Sequence, residues 1–372
     1  PYPRIIQQLN ESRLPICAVD IPSGLNGDTG EVATDAIVAD LTVTMAQPKV
    51  GLFTSNGRPY CGALRCVDIG IPPEFIEEAD SCGEAVFMQD IAPLFTRRPP
   101  DSHKQVFGHV VTVGGSNDYT GAPFLTAVAV LRSGAGLSTV AMPASARAQS
   151  AAPLSALITR SVPDRGDGYF GSAGLEILNT LLEQADSIAF GPGIGRQSQT
   201  VPVLDAVLET GKPVVIDADG LRLLAQSPRK IGSDNSVVLT PHPGEMRELL
   251  SSFGMEPGIL HDRSAAARAL AAETGACVVL KGLGTVMAAP DGRTAICSSG
   301  DTGLASAGTG DVLTGLLAGL VAQGWSLWDS MRIGVFVHGC AAELARSGSR
   351  AIVADDVVAL IGAAYSEITP FA

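Results

Sequence analysis

Apolar positions along the chain follow two periods. Short runs, several rich in β-branched residues, predict strands at 15–19 (PICAV), 109–114 (HVVTVG), 136–141 (GLSTVA), 186–190 (DSIAF), 213–217 (PVVID), 236–240 (SVVLT), 276–280 (ACVVL) and 284–288 (GTVMA). Between and after them, longer stretches at 122–133, 199–210, 243–251, 261–274, 309–323, 327–346 and 354–367 predict helices. Strand–helix alternation of this kind predicts an α/β fold, a mainly parallel sheet with helices on both faces. Three helices in succession at the end of the chain should cover one of those faces.

The segment 72–104 breaks the pattern. It carries prolines at 72, 73, 93, 99 and 100 and acidic residues at 74, 77, 78 and 80, and shows no sustained period. It predicts a linker over 80–100, with one domain at 1–79 and a second at 101–372. The upstream piece promises about three strands and little helix, too little to bury a sizeable core alone.

Composition narrows the function classes. The 372 residues are 46% hydrophobic, with a formal net charge of −13 and no lysine- or arginine-rich stretch. That excludes disorder and argues against a nucleic-acid surface, so an anionic ligand needs a locally built pocket. Seven scattered cysteines without a CxxC pair fit a reducing, cytoplasmic setting. The longest uncharged helical run, Val312 to Trp328, is broken by Gly315, Gly319, Gln323 and Gly324 and falls short of the roughly 20 apolar residues that span a bilayer. It reads as a buried helix, and no membrane partner is expected.

Candidate chemistry lies in glycine-rich turns, most of which follow a strand, where an open parallel sheet has its ligand crevice. They are VGGSNDYTGAP (113–123), FGPGIGR (190–196), IDADGL (216–221), LTPHPGEM (239–246) and LKGLGT (280–285). Neither G-x-x-x-x-G-K-[ST] nor a well-placed G-x-G-x-x-G occurs, so another device must hold phosphate. The best candidate is SSGDTGLASAGTGDVLTGLLAGL (298–320). Successive N–H groups from Ala307 to Gly310 can form a nest at the start of a helix, and the helix dipole favours an anion there. Asp311, one residue on, can take a proton from an attacking hydroxyl while the nest holds charge on a transferring phosphoryl group. The plainer alternative is a glycine-rich helix start with Asp311 as a favourable first-turn charge.

GLASAGTGDVLTG (303–315), taken with the five turns above, resembles the ADP-dependent NAD(P)H-hydrate dehydratase family over about residues 100–365. Upstream, AVDIPSGLNGDTGEV (18–32), ADLTVTMAQPKVGL (39–52) and VDIGIP (67–72) resemble the closing part of a Rossmann-like NAD(P)H-hydrate epimerase domain. The resemblance implies a ribokinase-like fold and a metabolite-repair lyase. Its substrate is the S epimer of hydrated NADH or NADPH, its co-substrate ADP with Mg²⁺, and its products NAD(P)H, AMP and phosphate. It also implies a homo-oligomer, tetrameric or higher.

Residue by residue, the resemblance makes Asp311 the base and Gly308, Thr309 and Gly310 the anion hole. It makes Lys281, Gly282, Leu283, Gly284 and Thr285 nucleotide-binding, together with Asp301, Thr302, Gly303, Leu304, Ala305, Ser306, Ala307 and the 308–310 turn. Ala122, Gly193, His242, Pro243, Gly244, Glu245, Met246 and Asp311 match loops around the hydrated dinucleotide. Glu245 either reaches Mg²⁺ through water or begins its helix. In the upstream piece Asp20 and Ser23 match substrate and potassium positions, Ser23 being the potassium ligand. The earlier asparagine- and glycine-rich loop of the epimerase is not in this sequence, so no epimerase activity is expected of it.

Two departures stand out. Where the family reads A-T-G-G-[TS]-G-D, this chain has Ala305-Ser306-Ala307-Gly308-Thr309-Gly310-Asp311, and a family asparagine before the loop is Ser299. The methyl group of Ala307 is compatible with bound phosphate if its φ is negative. Two other readings are a small-alcohol kinase of the same fold, of the hydroxymethylpyrimidine or hydroxyethylthiazole type, and a catalytically silent nucleotide-binding partner. Neither kinase explains TPHPGEM beside an epimerase-like segment.

Overall fold

Successive residues on a strand point to opposite faces, and the buried valines of this chain sort accordingly. The structure is a computed structural model that describes residues 2–79, 83–229, 231, 236–347, 349 and 351–369. It divides into two units, Pro1–Ala85 and Val86–Ala372.

The smaller unit holds a three-stranded parallel sheet in the order β1 (Cys17–Val19), β2 (Leu41–Met45), β3 (Ala63–Val67). A helix at Tyr2–Glu11 precedes it. That helix is absent from the sequence reading because its apolar stripe is narrow, with Ile6 its one buried residue.

The sheet of the larger unit is built from β4 (Glu84–Val86), which leads into it, β5 (His109–Val113), β6 (Leu137–Pro143), β7 (Ile158–Val162), β8 (Ser187–Phe190), β9 (Val214–Ile216), β10 (Val237–Leu239), β11 (Cys277–Leu280), β12 (Val286–Ala288) and β13 (Thr294–Cys297). Its order is β4-β13-β12-β11-β10-β9-β8-β5-β6-β7. From β11 to β7 every pairing is parallel, while β12 is antiparallel to both β11 and β13. All eight predicted strands form. The added strands β4, β7 and β13 stand outside the sequence prediction: β4 lies in the stretch read as a linker, β7 is largely solvent-facing and β13 completes a local hairpin.

On one face, Val110, Val140, Ala189, Val215, Val238 and Val279 pack under the helices Ala122–Arg132, Thr309–Ala322, Leu327–Arg346 and Ala354–Ile368. Their strand neighbours Val111, Ala141, Ile188, Val214, Val237 and Val278 face the helices Leu175–Glu183, Val201–Glu209, Asp219–Gln226, Pro243–Ser252 and Arg263–Thr274. The three closing helices thus share one face, as their succession predicts. Each fully buried leucine such as Leu316 or Leu317 contributes about 1.5–3 kcal/mol by leaving water.

The helix Thr309–Ala322 approaches Ala122–Arg132 closely because Gly315 carries no side chain. A Cβ there would stand 2.1 Å from the Thr126 carbonyl oxygen and 2.7 Å from the Ala129 methyl. Part of the glycine pattern at 298–320 therefore serves helix packing.

Residues 80–82, where the expected linker begins, lie outside the described residues. Its latter part is ordered into the larger unit: Ile91 is fully buried, and the Asp90 carboxylate accepts the Phe87 N–H at 2.8 Å. Among the described residues no helix is long and apolar enough to cross a membrane.

Candidate active site

The strand order reverses beside β5: the chain runs from β5 outward through β6 to β7, then returns to β8 on the other side. Ligand crevices in open parallel sheets form at such a switch point, beyond the carboxyl ends of the strands. The loops after β5 and β8 meet there, with the Gly115 N–H donating to the Pro192 carbonyl at 2.8 Å. Gly193 takes φ +65°, and a Cβ on it would lie 2.8 Å from the Tyr119 Cβ and 3.3 Å from the Ala122 methyl. The structure thus brings Ala122 and Gly193 together.

Gly308 begins the helix Thr309–Ala322 at φ +88°, a conformation that favours glycine. Among the described residues, no protein acceptor is found for the N–H groups of Ala307, Gly308, Thr309 or Gly310. These donors stand at the positive end of a helix 14 residues long. Below them, the Thr309 hydroxyl donates to the carbonyls of Leu304 and Ser306 at 2.8 and 2.9 Å and ties the loop back. Ala307 is not among the residues with positive φ, so its methyl group is accommodated without backbone strain. Gly308→Ala should therefore cost about 1–2 kcal/mol for the left-handed backbone alone, with further cost from the Leu125 methyl 2.7 Å from the new Cβ. Ala307→Gly should change stability by less than about 1 kcal/mol. Urea unfolding of the two variants checks the contrast, and equal effects would refute it.

Three carboxylates and one ammonium surround this turn. Asp217, ending the IDADGL strand, is 1% exposed. Its Oδ1 accepts from Lys281 Nζ at 2.6 Å and its Oδ2 from the Thr314 hydroxyl at 2.7 Å. Burial alone would raise its pKa, but the Lys281 charge and the hydroxyl bonds outweigh it and hold the carboxyl below its ordinary range. Burial likewise opposes the charge on Lys281, and Asp217 with Glu245 overcomes it, so the ammonium is kept. Lys281 Nζ lies 3.1 Å from where a Cβ on Gly310 would stand, and an Asp311 oxygen lies 4.0 Å from the equivalent point on Gly308. A cation and a carboxylate thus flank the same glycine turn.

Asp311 has no such ion pair among the described residues. Burial, then the charges of Asp217, Asp219 and Glu245, push its carboxyl up to about 7 against the pull of Lys281. Glu245 is also pushed up to about 7, by burial and Asp217. Its Oε2 accepts the His242 N–H at 2.8 Å, while His242 Nδ1 accepts from the Gly244 and Glu245 N–H groups at 2.9 and 3.2 Å. This reciprocal cap starts the helix Pro243–Ser252. Because Nδ1 accepts, the imidazole is neutral with its proton on Nε2, which faces Glu245 Oε1 at 3.4 Å. Burial, followed by Lys281 and Arg222, lowers the His242 pKa in keeping with that state. Pro243 and Met246 belong to the same cap and first turn, Met246 fully buried.

The remaining predicted positions form two adjoining loops. Arg263 holds the Lys281–Thr285 loop by donating to the Leu280 carbonyl at 2.9 Å and to the Leu283 carbonyl. The Cys297 N–H donates to the Thr285 carbonyl at 3.0 Å, so Gly282, Leu283, Gly284 and Thr285 lie beside the start of the 298–310 segment. There Asp301 accepts the Gly303 N–H at 2.7 Å and begins the short turn Thr302–Leu304. Ala305 and Ser306 continue it toward the glycine turn. Ser299, the expected asparagine position, donates to the Phe336 carbonyl at 2.9 Å. Its hydroxyl is committed to fixing the loop on the helix Leu327–Arg346.

Sequence reasoning gave no role to Asp217, although a carboxylate ending the wholly buried strand β9 was a readable signal. Arg263 and His338 carried none. His338 is buried against the Thr309 backbone, and burial pushes it down to about 4, which keeps it neutral. Asp20 and Ser23 belong to the smaller unit. Asp20, at φ +67°, accepts from Lys49, from the Met45 N–H at 3.0 Å and from the Thr44 hydroxyl at 3.2 Å, and Ser23 is exposed.

This sheet, its switch-point crevice and a glycine turn opening a long helix define a ribokinase-like fold. It is the fold of a ribokinase-like superfamily protein from Enterococcus faecalis, with TM-score 0.68 at 24% identity, covering 78% of this chain and 98% of that one. An ADP/ATP-dependent NAD(P)H-hydrate dehydratase from Bacillus subtilis, co-crystallised with ATP and Mg²⁺, superposes with TM-score 0.67 at 25% identity, over 77% of this chain and 99% of that one. The family model described as NAD(P)H-hydrate dehydratase matches residues 110–361, and one described as the YjeF-related protein N-terminus matches residues 1–51. The bifunctional NAD(P)H-hydrate repair enzyme of Moorella thermoacetica is 38% identical over 95% of this chain and 67% of its own length. That of Coxiella burnetii is 36% identical over 96% and 70%. The chain belongs to the NAD(P)H-hydrate dehydratase family and is a carbon–oxygen lyase of metabolite repair.

Proposed function

We propose that this chain removes water from the S epimer of hydrated NADH or NADPH at the expense of ADP, which leaves as AMP and phosphate. The observation that carries the reading is the set of free N–H groups at 307–310, flanked by the Asp311 carboxylate and the Lys281 ammonium. Asp311 accepts the proton of the substrate hydroxyl as its oxygen bonds to the terminal phosphorus of ADP and the bond to AMP breaks. The turn 308–310 and Lys281 hold the charge on the transferring group. Phosphate is then a good leaving group: the ring nitrogen expels it, and loss of a proton from the neighbouring carbon restores the reduced nicotinamide. On this reading the loops 281–285 and 301–307 receive the nucleotide, and Ala122, Gly193 and the 242–246 cap receive the dinucleotide.

Magnesium fits the donors present. Asp217, Glu245 and Asp311 are hard oxygen donors with Lys281 as their shared cation; burial first, and then the neighbouring carboxylates, raise Glu245 and Asp311. Among the described residues no cluster of three or more ligands would hold a metal unaided. The ion would therefore share phosphate oxygens and water with Glu245, neutralising phosphate charge. Potassium at Ser23 and a homo-oligomeric assembly, tetrameric or higher, rest on the resemblance, and a cytoplasmic setting rests on the scattered cysteines.

The test is nucleotide use. With Mg²⁺, ADP should be converted to AMP in step with recovery of NADH. Turnover of ATP with ADP ignored would overturn the ADP assignment. The pH profile gives a second check. Asp311 must be ionised to accept a proton, so kcat/KM should rise with pH through about 7. Glu245→Gln removes a charge that raises Asp311, and should move this limb to lower pH. A limb that stays in place would show that the two carboxyls are not coupled.

A further inference from the structure

Arginines stand just past three of the turns at the crevice. Arg196 closes the loop after β8, Arg222 lies on the helix Asp219–Gln226 after β9, and Arg247 on the helix Pro243–Ser252 after β10. These strands are neighbours, so the topology carries all three side chains to one open cleft of about 690 Å³, where Gln226 and Ser251 add polar groups. Such convergence stands out in a chain of formal net charge −13.

Two of the guanidinium groups are oriented by carboxylates: Arg196 Nε lies 2.9 Å from Asp219, and Arg222 Nε lies 3.7 Å from Glu248, which also lines the cleft. Arg247 is exposed and has no carboxylate partner among the described residues. Arg247 directly follows Met246 and Arg196 shares its loop with Gly193, so the cleft is built from segments that adjoin in the chain those assigned above to the dinucleotide. A planar guanidinium matches phosphate oxygens in a two-point contact that ammonium cannot make.

We propose that this cleft is the phosphate subsite for the hydrated dinucleotide, with Arg247 its free contact and Arg196 and Arg222 alongside. The assignment rests on the dehydratase reading. A phosphate there comes either from the pyrophosphate bridge, common to both hydrates, or from the 2′-phosphate that only hydrated NADPH carries.

The test compares R247Q and R222Q/R247Q with the unaltered chain on both hydrates. KM should rise about ten-fold with kcat within about two-fold, as expected for lost ground-state binding. A rise for both hydrates assigns the pyrophosphate, and a rise for hydrated NADPH alone assigns the 2′-phosphate. Unchanged KM for both, with unchanged melting temperature, overturns the subsite. Titration of NADP⁺ and NAD⁺ onto the same proteins needs no turnover and separates this proposal from the dehydratase reading. Weaker binding to the variants supports the subsite even if no dehydration occurs. Equal binding, or none to the unaltered chain, overturns it.

Discussion

Asp311→Asn lowers turnover by about 10²–10⁴-fold, the range for losing a positioned general base, while ADP binds within about three-fold of the unaltered protein. Asparagine keeps the size of the side chain and the start of the helix, and the N–H groups at 307–310 need no carboxylate to hold phosphate. Removing a negative charge beside them favours the anion slightly. The same substitution should raise stability. The Asp311 carboxyl is pushed up to about 7 in the folded chain from an ordinary 3.8. The folded state therefore binds the proton more tightly, and the stability this gives is fully present below about pH 4 and lost as pH rises through about 7. The asparagine variant should thus melt above the parent at pH 8 and converge with it in acid. Calorimetry of ADP binding, turnover and melting against pH check the three parts. Near-normal turnover would reduce Asp311 to a helix-start residue.

Lys281→Met should be the most destabilising single change at the site. It leaves Asp217, 1% exposed, without its counter-charge, and stranding one member of a buried pair costs about 3–5 kcal/mol. The pH sign is opposite to that of Asp311. Because the Asp217 carboxyl is held below its ordinary range, the stability from the pair is present above that range and lost as pH falls through the lowered value. Adding Asp217→Asn to the variant removes the stranded charge and should restore much of the loss, since Thr314 can still bond the amide. Urea unfolding at neutral pH of both single variants and the double variant measures this. A loss below about 1 kcal/mol in Lys281→Met would mean that the pair is solvated rather than buried.

Much of this was legible in the sequence because the relevant signals are local. The strands β8 to β11 are short apolar runs followed within two residues by glycine, proline or aspartate, and the turn at 308–311 stands out through residue types at fixed spacing. The helix Asp219–Gln226 was not legible, since it begins inside a motif read as a turn and carries Gly220 in its first turn. Nor could spacing show that Asp217 and Lys281, far apart in the chain, share a proton-holding contact across neighbouring loops. The glycine pattern at 298–320 was legible only in part: Gly308 answers to a backbone conformation at the anion turn, whereas Gly315 answers to a partner helix that only the folded chain reveals.

The most direct test of the account is a product balance. Hydrated NADH, ADP and Mg²⁺ are incubated with the protein, and recovered NADH, AMP and free phosphate are quantified together. The account predicts equal amounts of all three, with the S epimer consumed and the yield collapsing in Asp311→Asn. A stable phosphorylated product without NADH would instead identify a small-alcohol kinase, and NADH recovery without AMP would contradict phosphoryl transfer at Asp311.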